Sequence, residues 1–129
     1  MTVPPEARRA RGDAAEERAC RHLEAAGFTI AGKNYRTRGG EIDIVARKGD
    51  LLVFVEVRSR ENASFGTPEE SVDLAKRRRI IRAARDYLSN VPAVSWGEAR
   101  FDVIAIEGCG ENAVLRHYPA AFDAKGKTL

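Results

Sequence analysis

The sequence predicts an α/β domain with a mixed central sheet flanked by helices, and three observations carry that prediction. Apolar residues recur at helical spacing over 12–26 and again over about 67–88. Three runs of strand character, 28–35, 39–48 and 51–57, lie between those helices, and a fourth follows at 100–107. Hairpins pair the first three strands antiparallel, whereas a strand–helix–strand crossover lays the fourth parallel to the third, so the sheet is mixed. The expected order is helix, three-strand meander, helix, strand and an edge strand at 114–118. The 129 residues suffice for one domain, expected over 12–122 between a flexible arm, 1–11, and a flexible tail, 123–129.

Each element has a local reason. Ala15, Ala19, Leu23 and Ala26 form a narrow apolar stripe on the first helix, which Gly27 stops. Glu16 sits at the edge of that stripe, in reach of a site between helix and sheet. The paired glycines Gly39 and Gly40 allow close approach of another backbone, whether an ordinary turn or a nucleic-acid strand. Strand three, 51–57, is almost wholly apolar and is therefore expected at the centre of the sheet. Thr67-Pro68-Glu69-Glu70 reads as a capping box with proline at the first helical position, so the second helix is expected from there. That helix turns Val72 or Leu74, Ile80, Ile81, Ala84 and Leu88 inward. Its other side carries Lys76, Arg77, Arg78, Arg79, Arg82 and Arg85, where Arg78, Arg82 and Arg85 share a stripe that suits either solvent or a phosphate backbone.

Composition narrows the chemistry. The net charge of +3 arises from 22 basic and 19 acidic side chains, which permits an anionic partner without demanding one. No long apolar run and no signal-peptide pattern is present, so a soluble cytoplasmic protein with no membrane partner is expected. Cys20 and Cys109 make no metal-ligand spacing, and Cys20 lies in a helical pattern as a small core residue. His22 and His117, far apart in sequence, offer little basis for a triad or a histidine-rich metal site. Carboxylates remain.

Asp43 and Glu56 stand where apolar strands would ordinarily place Val or Ile. If Gly49-Asp50 is a two-residue turn, Lys48 faces Leu51 and the same ladder brings Asp43 opposite Glu56 on one face. Two carboxylates so placed repel unless a cation lies between them, either a divalent metal or neighbouring arginines such as Arg58 and Arg47.

The motifs Glu16-Glu17-Arg18-Ala19, Asn34-Tyr35-Arg36, Gly40-Glu41-Ile42-Asp43-Ile44-Val45-Ala46, Phe54-Val55-Glu56-Val57-Arg58-Ser59-Arg60, Phe65-Gly66-Thr67-Pro68 and Arg100-Phe101-Asp102-Val103-Ile104 span most of 12–122. Together they resemble the bacterial YraN-type family, which is similar to archaeal Holliday junction resolvases within the PD-(D/E)xK, restriction-endonuclease-like superfamily. The resemblance implies a restriction-endonuclease-like fold and a metal-dependent endonuclease acting on DNA, including branched or structured DNA. It also implies a homodimer, since resolvase-like proteins act as dimers. In this chain Asp43, Glu56 and the carbonyl of Val57 would hold Mg²⁺ or Mn²⁺, and Glu16 would close the cluster. Arg58 occupies the superfamily's lysine position; a guanidinium can clamp a phosphate but cannot serve as a base near neutral pH. The nucleic-acid contacts would fall to Arg36, Arg38, Lys76, Arg78 and Arg82. The alternative is a non-catalytic nucleic-acid-binding module that retains the fold.

Overall fold

The computed structural model describes residues 5–60, 72–108 and 110–127, with side chains described from Gly12 onward. Helix α1 (Pro5–Ala25) leads into β1 (Thr29–Thr37), β2 (Gly40–Lys48) and β3 (Leu51–Arg60); α2 (Leu74–Ser89), β4 (Glu98–Glu107) and β5 (Val114–Phe122) follow. The strands form one sheet in the order β1-β2-β3-β4-β5, with β3 at its centre. Only β3 and β4 are parallel, and the other neighbours are antiparallel. This is the mixed architecture expected of a restriction-endonuclease-like α/β domain. No helix among the described residues is long and apolar enough to cross a membrane.

The two faces of the sheet carry separate cores. On one, Ala15, Ala19, Cys20 and Leu23 of α1 pack on Ile44, Val53, Val55 and Ile104. On the other, Ile80, Ile81, Ala83 and Ala84 of α2 pack on Val45, Leu52, Phe54 and Val103, with Trp96 at the margin. Strand β3 alternates strictly between these layers and so reads as continuously apolar, since both of its faces are covered. Small residues on α1 let that helix lie close to the sheet. Gly27, at φ +95°, ends it, and the Phe28 N–H reaches back to the Leu23 carbonyl at 3.0 Å.

Several boundaries differ from expectation for identifiable reasons. Helix α1 starts at Pro5, so part of the segment read as an arm has helical backbone. Helix α2 starts at Leu74, capped by Asp73, whose carboxylate accepts the Lys76 N–H at 2.8 Å; the capping box at 67–70 lies outside the described residues. Leu74 is accordingly exposed and Val72, ahead of the helix, is buried. Strand β5 runs on to Phe122, whose ring stacks on Phe101. Residues 123–127, expected as a loose tail, instead close a turn around the Asp123 carboxylate, and Arg77 donates to the Gly126 carbonyl at 2.9 Å.

One buried polar group ties the α1 layer to the far edge of the sheet. Asp102 is fully buried on β4, where Arg100 grips both of its oxygens at 2.8 and 2.9 Å and the Ala120 N–H adds a bond at 3.0 Å. His117 Nε2 lies 2.6 Å from the same carboxylate, and its Nδ1 lies 3.0 Å from His22 Nε2 on α1. A carboxylate requires the proton on His117 Nε2, which leaves Nδ1 to accept from His22. Burial alone would raise the Asp102 pKa, but the bonds from His117, Arg100 and Ala120 outweigh it and hold the carboxyl below its ordinary value. The histidines that sequence separation kept apart are thus partners, in a structural chain. Replacing His117 by Ala removes one partner of a buried charge and opens the link to α1. Chemical denaturation should show a loss of about 1–3 kcal/mol, with the conservative His117→Gln losing less.

Candidate metal-binding carboxylate site

The turn at Gly49-Asp50 has the predicted length, with Gly49 at φ +61° and Lys48 paired with Leu51. The ladder continues to Ile44 opposite Val55, and Asp43 and Glu56 are the next residue on each strand. There the backbone pairing gives way to a side chain: the Val57 N–H donates to Asp43 Oδ2 at 2.8 Å. A carboxylate has taken the place of a main-chain acceptor at the end of the strand pair.

A break in strand alternation accompanies this. Ile42 and Ile44, two residues apart, should share a face, yet Ile42 belongs to the α2 layer and Ile44 to the α1 layer. The reversal falls at Asp43 and at Asn34 of β1, which sits between the ladder pairs Lys33 with Ile44 and Tyr35 with Ile42 and has φ +53°. Such irregularities re-aim side chains next to functional sites. Here the Asn34 amide donates to Glu16 Oε2 at 3.2 Å, tying α1 to the same corner.

Glu56 faces the α2 layer and is 3% exposed. Its Oε1 lies 2.8 Å from the Lys76 ammonium of α2 and 3.9 Å from the Arg58 guanidinium, so the lysine is the closer counter-charge. Asp43 and Glu56 are within hydrogen-bonding reach of each other. Burial first, then the negative charge of Asp43, push the Glu56 pKa from its ordinary 4.5 to about 7, with Lys76 opposing. Burial also raises Asp43, against the Val57 N–H bond. Glu16 is raised by burial and by Asp43.

These groups line a cleft of about 390 Å³ bounded by Gly12, Ala15, Glu16, Asp43, Glu56, Val57, Arg58, Ser59 and Lys76. Of the residues expected at a metal site, Asp43, Glu56 and Val57 come together, and Arg58 lies beside them. Glu16 reaches the rim but is held by Asn34; among the described residues no group of three or more His, Cys, Asp or Glu is placed to hold a metal ion. The contact shown for Val57 is its N–H. Two adjacent carboxylates nevertheless suit Mg²⁺, which keeps several waters and takes one or two protein carboxylates. The lysine already seated on Glu56 marks where positive charge is needed.

The expected nucleic-acid contacts divide. Arg36, Arg38 and Lys76 line a second cleft, joined by Arg79, which lies off the stripe of Arg78, Arg82 and Arg85. Arg82 lies beside the β1–β2 turn, where a Cβ on Gly39 would come within 3.3 Å of its side chain. Arg78 is exposed and lines neither cleft. The sequence placed Lys76 among backbone contacts and missed its role at Glu56. Asp73, as cap, sets Lys76 in the first turn of α2, and the docking of that helix on the sheet brings it to Glu56.

A raised carboxyl pKa favours the protonated native state, so the contribution of Glu56 to stability is fully present below pH 4.5 and is lost as pH rises to about 7. The difference in unfolding free energy between wild type and Glu56→Gln, followed by urea titration, should move against wild type across that interval. A difference independent of pH would contradict the assigned environment.

Comparison with known proteins places this corner within a family. Residues 15–106 match the model described as "Uncharacterised protein family UPF0102". A UPF0102 protein of Myxococcus xanthus is 47% identical over 120 residues, covering 93% of this chain and 94% of its own. One from Dechloromonas aromatica is 48% identical over 99 residues, covering 77% and 80%, and one from Albidiferax ferrireducens is 49% identical over 117 residues, covering 88% and 87%. The matched span holds Glu16, Asp43, Glu56, Arg58 and Lys76 together with the Asp102 anchor. The chain therefore belongs to the uncharacterised protein family UPF0102.

Proposed function

We propose that the protein is a metal-dependent endonuclease that hydrolyses phosphodiester bonds in DNA, with branched or structured DNA as its substrate. One observation carries this reading: a buried carboxylate, Glu56, and a half-buried one, Asp43, sit side by side at the mouth of an open cleft, with a lysine ammonium 2.8 Å from Glu56. The similarity of the sequence to PD-(D/E)xK nucleases supports it. Asp43 and Glu56 would hold Mg²⁺ or Mn²⁺, which when bound supplies a water of lowered pKa and stabilises charge on the phosphodiester.

The residues of the chain divide the remaining work. Lys76 neutralises Glu56 in the metal-free protein and, on surrendering that carboxylate, remains at the cleft to hydrogen-bond a phosphate oxygen or the attacking water. It supplies from α2 the ammonium that β3 lacks, since Arg58 cannot exchange a proton near neutral pH. Arg58, on the same side, is suited to bidentate contact with a phosphate. Glu16 stands at the rim, positioned by Asn34 to orient water or a ligand from outside.

Purified protein incubated with four-way, flapped and single-stranded DNA should cut at least one of them in Mg²⁺ or Mn²⁺ and none in chelator. Asp43→Ala should abolish cutting, and products that persist in that variant would reveal contamination. Lys76→Met should slow single-turnover cleavage by about 100-fold if its ammonium takes part in proton transfer or positioning. Binding without cleavage on every substrate would favour the alternative, a nucleic-acid-binding module that keeps the fold.

A further inference from the structure

We infer that the cleft between the β1–β2 turn and α2 is a second phosphate site, which grips a non-scissile phosphodiester of the nucleic-acid strand lying across the carboxylates. The inference rests on the proposed function only for the identity of the ligand. The cleft measures about 300 Å³ and is lined by four cations, Arg36, Arg38, Lys76 and Arg79, against one carboxylate, Glu41. That carboxylate is already engaged by Arg36 at 3.5 Å. The carboxylate cleft has the opposite balance, and Lys76 borders both. An anion-accepting site and a cation-accepting site therefore share one wall, the arrangement a polyanion on a metal site requires.

The cleft is also preformed. A Cβ on Gly40 would fall 2.0 Å from the Arg79 carbonyl, so α2 is seated directly on the turn and only glycine fits. Thr37 Oγ1 accepts the Gly39 N–H at 3.1 Å and donates to the Gly40 carbonyl at 3.2 Å, which closes the turn upon itself. The backbone at Arg36 and Arg38 is thus fixed in relation to Arg79, because the two glycines let α2 close against the turn. Scattered surface arginines have no such shared mount.

The test is binding of labelled single-stranded and duplex oligonucleotides to the full chain in chelator, followed by fluorescence anisotropy across a salt series. Arg38→Ala and Arg79→Ala should each weaken binding by about tenfold and lower the salt slope by about one, with Arg79→Lys recovering part of the loss. Arg21→Ala, which removes an exposed cation paired with Glu17 on α1, should leave both unchanged. Thermal midpoints verify that the variants fold. Equal losses in Arg21→Ala, no loss in the cleft variants, no binding by wild type, or equal displacement by polyglutamate would each overturn the inference. The two readings fail separately. Wild type that binds through this cleft yet never cuts overturns the nuclease reading alone, whereas cleft variants that bind and cut like wild type overturn this one.

Discussion

The contact between Lys76 and Glu56 is the constraint on which the functional corner depends. A buried glutamate beside a half-buried aspartate is an unstable neighbour: desolvation penalises both carboxylates, and the charge of Asp43 penalises Glu56 further. The fold meets this by bringing the first turn of α2 over the end of β3 and seating an ammonium on the more buried acid. The neutralisation is incomplete, since Glu56 still titrates near 7. Under the proposed function a divalent ion would supply the missing positive charge, and Lys76, at the border of the cleft, would remain beside it.

The backbone is arranged to make that corner. The β2–β3 ladder ends where Asp43 captures the Val57 N–H, and β2 reverses face beside an asparagine in the left-handed region. These are local costs that a well-packed sheet can bear. The cores on its two faces, together with the Asp102 anchor that joins β4, β5 and α1, hold the sheet rigid around them. Glycine at position 40 lets α2 dock on the β1–β2 turn, and the same docking sets Lys76 and Arg79 at the borders of their clefts.

Local signals in the sequence were dependable where one short-range rule governed. The apolar run 51–57 placed β3 at the centre, and the even turn at Gly49-Asp50 set the register that unites Asp43 with Glu56. Ala15, Ala19 and Leu23 marked the buried stripe of α1. What stayed hidden depends on contacts across the sheet. Nothing in 74–89 distinguishes Lys76 from its arginine neighbours until α2 is laid over β3. His22 and His117, 95 residues apart, meet only because β5 returns to the α1 side. The start of α2 at Leu74 is set by Asp73, a cap less conspicuous in the sequence than the proline-containing signal at 67–70, which lies outside the described residues. The closure of the carboxylate cluster by Glu16 was expected from resemblance, while a hydrogen bond from Asn34 holds that side chain at the rim.

Under the proposed function Asp43 and Glu56 form one cation site that Lys76 fills in the absence of metal. Calorimetric titration of Mn²⁺ into the full chain, in buffers of different ionisation enthalpy near neutral pH, addresses it directly. One saturable site is expected, lost in Asp43→Asn and in Glu56→Gln, with proton release on binding because Glu56 is partly protonated there. Lys76→Met should bind the ion more tightly than wild type, since no ammonium has to be displaced. Absence of saturable binding, or binding unchanged when either carboxylate is replaced, would contradict it.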